Sequence, residues 1–270
     1  MTIVVFICLD LVVLVMNIGE KKRMEIIVTD IGQGDGILIY NEDGELLLVD
    51  GGPTNEFVGM GFLQLPSFEC GVSRILLTHP HTDHLFGLNR AMELCQTSLV
   101  YYNDIQAFVS GNFSRFKGLA RLYNEQKLTQ GDKISFGSFT IYILWPSPEY
   151  LATIKESTVN EASIAMLLDY RDFEMLFTGD INSDTQKRLK LSDYSYVIDD
   201  AVDVYKVPHH GSEHSFDEDF LAWLRPKAAV ISVGENSYGH PSEKFINYFK
   251  KESVRLFRTD LDGDVRIKIR

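Results

Sequence analysis

RILLTHPHTDHLFGL, residues 74–88, decides how the rest of the chain is read. Its first half is an apolar run suited to a strand, and its second half opens a pattern with helical spacing. Between them stands His79-Pro80-His81-Thr82-Asp83-His84. Two histidines one residue apart in an extended segment project to the same side and can chelate one metal ion. Asp83 and His84, at the turn that follows, can face a second ion. Imidazole and carboxylate without thiolate suit Zn²⁺, Mn²⁺ or Fe²⁺.

Four further strand-like runs end in chemically loaded loops. LLLVD ends at Asp50-Gly51-Gly52, and EMLFT ends at Gly179-Asp180. VYKV runs into Pro208-His209-His210-Gly211-Ser212, and AAVISV precedes Gly239-His240-Pro241-Ser242. Six of the seven histidines lie in these loops or beside them, a distribution that scattered core histidines would not give. Groups sited just past strand ends can converge on one edge of a sheet, where such folds place their sites.

Apolar runs suited to strands recur at 25–31, 36–40, 46–50, 74–78, 99–102, 133–144, 163–169, 173–178, 202–207, 227–233, 254–257 and 265–269. Helical patterns fall near 84–95, 104–123, 182–191, 215–224 and 242–251. Ser215 with Glu218 reads as a capping box. Asp43-Gly44 and Asp262-Gly263 read as hairpin turns. Strands mixed with helices throughout predict one α/β or α+β domain with mixed sheets over residues 24–270.

The chain has 270 residues, 45% of them hydrophobic and 24% charged, enough to bury a sizeable core and too apolar for a disordered chain. Three cysteines without C-x-x-C spacing exclude a disulfide framework and a thiolate zinc site. A net charge of −12 excludes a large basic surface that grips duplex DNA by counterion release, so any nucleic acid must be held locally. Residues 2–18 are almost wholly apolar and precede Lys21-Lys22-Arg23. At ~1.5 Å rise per residue they sit at the lower limit for crossing a ~30 Å bilayer core. Segment 1–23 is therefore expected to be a single membrane anchor, with the basic cluster and the globular part on the cytoplasmic side. The alternative is a soluble cytoplasmic protein that starts at Met24.

These motifs carry a resemblance. HPHTDH behind a strand, with Thr178-Gly179-Asp180 later, resembles the metallo-β-lactamase superfamily. The finer likeness is to the hydrolase domain of ComEC-type competence proteins, which take up DNA. It rests on TDIGQGDGILI (29–39), LLLVDGG (46–52), NEASIAMLL (160–168), YKVPHHGS (205–212), GHPS (239–242) and RTDLDGDVRI (258–267), in order along the chain. Two departures stand out. Such relatives often carry an aspartate where His81 stands. Asn160-Glu161-Ala162-Ser163 occupies the place of the superfamily's third histidine, which leaves the first metal position one strong ligand short.

The resemblance implies an αββα sandwich of two mixed sheets flanked by helices, holding one or two divalent ions, Zn or Mn. It implies His79 and His81 on one metal, Asp180 bridging, and Asp83, His84 and preferably His209 on the other. A metal-activated water then serves as nucleophile. His210 and His240 become candidates for proton donation or phosphate contact, and Asn160 or Ser163 for orienting substrate. Asp35 is expected to fix a histidine from behind, Asp50 to support its loop, and His214 to be a surface residue. The function so implied is a phosphodiesterase or nuclease acting on a phosphodiester such as single-stranded DNA. Hydrolysis of another ester, a phosphocholine ester or thioester, and a non-catalytic DNA- or channel-binding module are the alternatives. Tyr101, Tyr102, Phe108, Phe113 and Phe116 are expected in the core rather than stacked on bases.

Overall fold

A computed structural model describes residues 24–54, 71–189, 198 and 200–269. Fourteen described strands form two seven-stranded sheets. The first runs β14 (Val265–Lys268), β1 (Glu25–Val28), β2 (Gly36–Tyr40), β3 (Leu46–Gly51), β4 (Arg74–Leu76), β5 (Leu99–Tyr102) and β6 (Asn124–Lys127). The second runs β13 (Arg255–Arg258), β12 (Ala228–Ile231), β11 (Val204–Lys206), β10 (Phe173–Phe177), β9 (Ala165–Tyr170), β8 (Phe139–Trp145) and β7 (Lys133–Phe136). In the first sheet β14 through β3 pair antiparallel and β3 through β6 parallel. The second repeats this plan, antiparallel from β7 to β10 and parallel from β10 to β13. The two halves share an architecture that no sequence repeat announces.

Strand periodicity explains the layers. Ile26, Val28, Ile37, Ile39, Leu47 and Val49 face Ile141, Met166, Leu168 and Phe177 across the sandwich. The alternating residues Ile27, Leu38, Leu46 and Leu48 turn outward onto two helices, α1 (Thr82–Leu94) and α2 (Gly111–Ala120). Both faces of these strands are buried, so they read as continuous apolar runs. On the far side Leu167, Leu176, Tyr205 and Ile231 pack under two more helices, α5 (Glu218–Leu224) and α6 (Glu243–Lys251). Short helices α3 (Pro148–Leu151), α4 (Ser183–Gln186) and α7 (Thr259–Asp262) lie in connections. The expected αββα sandwich is the observed fold.

Several local expectations change. The run 133–144 is two strands joined at Gly137, whose φ of 57° makes the turn. β6, with the sequence NEQK, has every residue exposed and shows no apolar period; it forms by pairing with β5. Asp217, not Ser215, caps α5, its carboxylate accepting from the Phe220 N–H at 2.9 Å. Asp262-Gly263 is not a hairpin turn, because β13 and β14 belong to different sheets and the segment crosses between them. Cys95 is disulfide-bonded, a single bond rather than a framework. The aromatic residues 101, 102, 113 and 116 are buried, and Phe108 packs partly against them. The apolar segment 2–18 lies outside the described residues. Among the described residues no helix is long and apolar enough to cross a membrane.

The close seating of α1 on β3 fixes where His84 points. Gly51 and Gly87 meet back to back: a Cβ on Gly87 would stand 1.9 Å from the Gly51 carbonyl oxygen. Backbone on both sides leaves nothing flexible to yield. Gly87→Ala is expected to cost about 3 kcal/mol of unfolding free energy, the upper part of the overpacking range. Gly118→Ala, exposed on α2 with open space around it, is expected to add roughly 0.5–1 kcal/mol. Urea unfolding of both variants checks the pair. Equal effects would mean that the α1–β3 contact has room for a methyl group.

Candidate metal centre

Five strand ends supply one cluster. His79, His81, Asp83 and His84 follow β4, with Asp83 and His84 in the first turn of α1. Asp180 follows β10, and His209 and His210 follow β11. Asp50 lies near the end of β3, and Ser232 follows β12. Asp180 is central. Its Oδ2 lies 3.4 Å from His84 Nε2 and 3.8 Å from Nε2 of His79, His209 and His210. His210 Nε2 also lies 3.5 Å from Asp83 Oδ2. Two overlapping ligand groups result, His79–His84–Asp180 and Asp83–His84–His210.

Residues behind the cluster aim it. Asp50 accepts from the Thr78 N–H at 2.8 Å, the Thr78 hydroxyl at 2.6 Å and His84 Nδ1 at 2.7 Å. With Nδ1 donating to Asp50, His84 presents Nε2 to Asp180. His210 Nδ1 donates to the Ser232 carbonyl at 2.9 Å and lies 3.4 Å from Asp35 Oδ1. Asp35 is itself held by Lys206, whose ammonium is 2.9 Å away on a side chain only 1% exposed. Asp35, Asp50 and His84 also sit close enough to bind an ion, but both carboxylates there are already spent on these partners. Asp50, His209 and His210 have φ of 54°, 50° and 53°. Left-handed backbone at residues other than glycine costs about 1–3 kcal/mol each, and here it marks the site.

Protonation follows from this packing. Burial opposes charge on His84, yet the carboxylates of Asp180 and Asp50 override it and raise its pKa well above the usual value. His210 is likewise penalised by burial but pushed up to about 9, first by Asp180 and then by Asp35 and Asp83. His79, His81 and His209 are lowered, chiefly by burial. Asp180 is held below its ordinary value: burial opposes this, but His84 and His210 prevail. The metal-free cluster is thus an ionised carboxylate set neutralised by protons on two imidazoles.

The residues singled out in the sequence occupy the following places. His81 stands at the mouth, its ring 4.9 Å from that of His79. His210, rather than His209, groups with Asp83 and His84. His209 turns the other way, toward Asn160, whose Nδ2 is 3.4 Å from His209 Nε2. It therefore sits on the side where the superfamily's third histidine is missing. A cavity of about 420 Å³ opens there, lined by His81, Asn160, Glu161, Asp180, Asp184 and His209. Ser163 braces Asp180 by accepting from its N–H at 3.1 Å. His240 stands off the cluster, 5.5 Å ring to ring from His209, and is lowered to about 4 by burial and by His209 and His210. His214 is exposed at the cavity rim. Lys206 and Thr78 were not anticipated. A lysine inside the apolar run VYKV was the one available signal for the first.

The donor set fits a divalent metal. His79 Nε2, His84 Nε2, His210 Nε2 and Asp180 Oδ1 are buried atoms without a hydrogen-bond partner among the described residues. They belong to the two ligand groups around Asp180, and buried polar atoms are rarely left so.

Comparison with known proteins agrees with the fold and the motif order. Over residues 29–235 the chain matches the family described as the Metallo-beta-lactamase superfamily. It is 25% identical to ComE operon protein 3 of Bacillus subtilis (strain 168), over 90% of this chain and 33% of that protein. It is 27% identical to competence protein ComA of Neisseria gonorrhoeae, over 90% of this chain and 32% of that one. The chain thus spans about a third of the length of these curated relatives. Among solved structures, the metallo-beta-lactamase fold protein YhfI of Bacillus subtilis superposes with a TM-score of 0.59 at 13% identity, covering 91% of this chain and 100% of that one. The diiron β-hydroxylase CmlA of Streptomyces venezuelae gives 0.60 at 15% identity, covering 93% and 55%.

Protons and metal compete for the same nitrogens. Loading the chelator-stripped protein with Zn²⁺ or Mn²⁺ at pH 7 is expected to release about two protons, from His84 and His210. Above about 9 His210 is already neutral, so fewer protons leave and the apparent affinity is higher. Titration calorimetry in buffers of different ionisation enthalpy reads this directly. Heats that do not depend on the buffer at pH 7 would contradict the assignment.

Proposed function

The chain belongs to the metallo-beta-lactamase superfamily, and from that premise we propose that it is a metal-dependent phosphodiesterase that cuts single-stranded nucleic acid. One observation carries the reading: Nε2 of His79, His84, His209 and His210 all lie within 3.8 Å of one carboxylate, Asp180, with Asp83 beside His210. A pair of Zn²⁺ or Mn²⁺ ions held there would activate water and neutralise charge developing on phosphoryl oxygens. His79, His81, His209 and Asp180 would hold one ion, and Asp83, His84, His210 and Asp180 the other. His209 thereby makes up the ligand that Asn160 cannot supply as strongly. His240, neutral at ordinary pH, offers a hydrogen bond to the phosphate rather than a positive charge. Its buried Nδ1 has no partner among the described residues. Asn160 orients substrate at the cavity wall.

The names of the relatives, competence and recombination proteins, favour a nucleic acid as substrate. The net charge of −12 favours a single strand held locally over a gripped duplex. A competing reading is a phosphocholine ester, because Glu161 and Asp184 in the cavity wall would welcome a cationic alcohol. Association with a membrane through residues 2–18 belongs to the proposal. A disulfide at Cys95 favours an oxidising compartment over the cytoplasmic side that Lys21-Lys22-Arg23 suggests.

The purified chain, stripped and reloaded with Mn²⁺ or Zn²⁺, should be offered a single-stranded oligonucleotide, bis-p-nitrophenyl phosphate, a phosphocholine ester and a thioester. Turnover of the first two is expected. Turnover of only the third or fourth would replace this reading with another ester hydrolase. Metal binding without any turnover would leave a binding module. Asp180→Ala should lose at least one metal equivalent and roughly 100-fold or more in activity. Asp35→Asn, which acts through His210, should cost roughly 10–100-fold in metal affinity. His240→Ala should keep its metal and lose turnover by ~10²-fold.

A further inference from the structure

Tyr238 presents a large aromatic ring 74% exposed to solvent beside the metal centre. Its loop is not slack. Asn236 Nδ2 donates to the carbonyls of Gly234 and His240, both at 2.8 Å, and its Oδ1 accepts from the N–H groups of Tyr238 and His240, both at 3.1 Å. One side chain therefore fixes the backbone of the whole turn. The ring lies 5.7 Å from that of His240 at 34°, and His240 in turn lies 5.5 Å from His209, whose Nε2 approaches Asp180. An aromatic ring on an ordered loop, in contact with His240 and otherwise 74% exposed, two ring contacts from the central carboxylate, offers its remaining surface to a ligand.

We infer that Tyr238 is the stacking platform for a nucleobase next to the scissile phosphate, and so a residue that selects a single strand over a duplex. The inference rests on the phosphodiesterase reading above and narrows its substrate. A base in a duplex is already stacked on its neighbours. Only an unpaired one can turn its face to a protein ring, and every base has such a face, so the contact favours strandedness without choosing sequence. The preorganised loop lowers the entropy cost of that contact. Phe108, edge-on to His81 at 5.5 Å, walls the opposite end of the histidine row but packs into the core, which leaves Tyr238 as the free face.

The test compares a labelled thymidine homopolymer with an abasic strand of equal length. Both strands are offered to the metal-loaded protein, and KM is measured for each. Tyr238→Ala should lower the preference for the base-bearing strand over the abasic one by roughly tenfold, the scale of one base–aromatic contact. Tyr238→Phe, which keeps the ring, should restore most of it. An unchanged preference in Tyr238→Ala, or equal weakening on both strands, overturns the stacking role while cleavage of the homopolymer by the parent protein keeps the phosphodiesterase reading. A parent that neither binds nor cleaves the homopolymer overturns that reading and this inference together.

Discussion

One carboxylate sits among four imidazoles, and the fold is arranged around that crowding. Asp180 has Nε2 of His79, His84, His209 and His210 within 3.8 Å. Those nitrogens come from loops after β4 and β11, which lie in different sheets, while Asp180 follows β10. No single sheet could bring them to one point. The sandwich does so because the parallel halves of both sheets end at the same edge. The close α1–β3 seating, the bracing of Asp180 by Ser163 and the left-handed turn at His209–His210 all serve this convergence.

Buried charge sets the second constraint. Taking carboxylates and imidazoles out of water costs several kcal/mol per ion unless partners make it up. Asp50 finds Thr78 and His84, and Asp35 finds Lys206. The Lys206–Asp35 pair also crosses the molecule, from β11 in one sheet to the β1–β2 turn of the other. Asp180 and Asp83 have no such dedicated cation and lean instead on protonated His84 and His210. Asp35 is thus neutralised permanently by Lys206, whereas Asp50 shares the His84 proton with the ligand side. The ligand carboxylates are neutralised by protons that a metal can displace.

The sequence made the fold legible where strands are buried on both faces, because continuous apolar runs ending in His, Asp and Gly are hard to read otherwise. It failed where structure does not come from side-chain pattern. β6 owes its existence to a neighbouring edge, and the 133–144 run hides a turn that only Gly137 marks. The HPHTDH loop was legible from residue type and spacing, and the place of Asp180 beside it from the family resemblance. Which of two adjacent histidines faces which side was not. Consecutive residues in an extended chain would alternate, but both His209 and His210 adopt left-handed φ, and the usual alternation no longer applies. Lys206 was hidden for a different reason: a charged side chain within a strand reads as an exposed position until its partner, 171 residues earlier in the chain, is placed beside it.

The acidic surface then becomes part of the functional logic rather than an objection to it. A protein that binds nucleic acid through lysine and arginine gains affinity from released counterions, with little regard for strandedness. This chain carries 26 basic against 38 acidic residues, and the cavity beside Asp180 adds Glu161 and Asp184 to its wall. Long stretches of phosphate backbone are repelled. What remains attractive to a phosphodiester is the metal centre itself, and what remains attractive to a base is an uncharged aromatic face. On the proposed reading, a site built in this way would engage a strand locally, at the phosphate beside the ions and the base beside the ring.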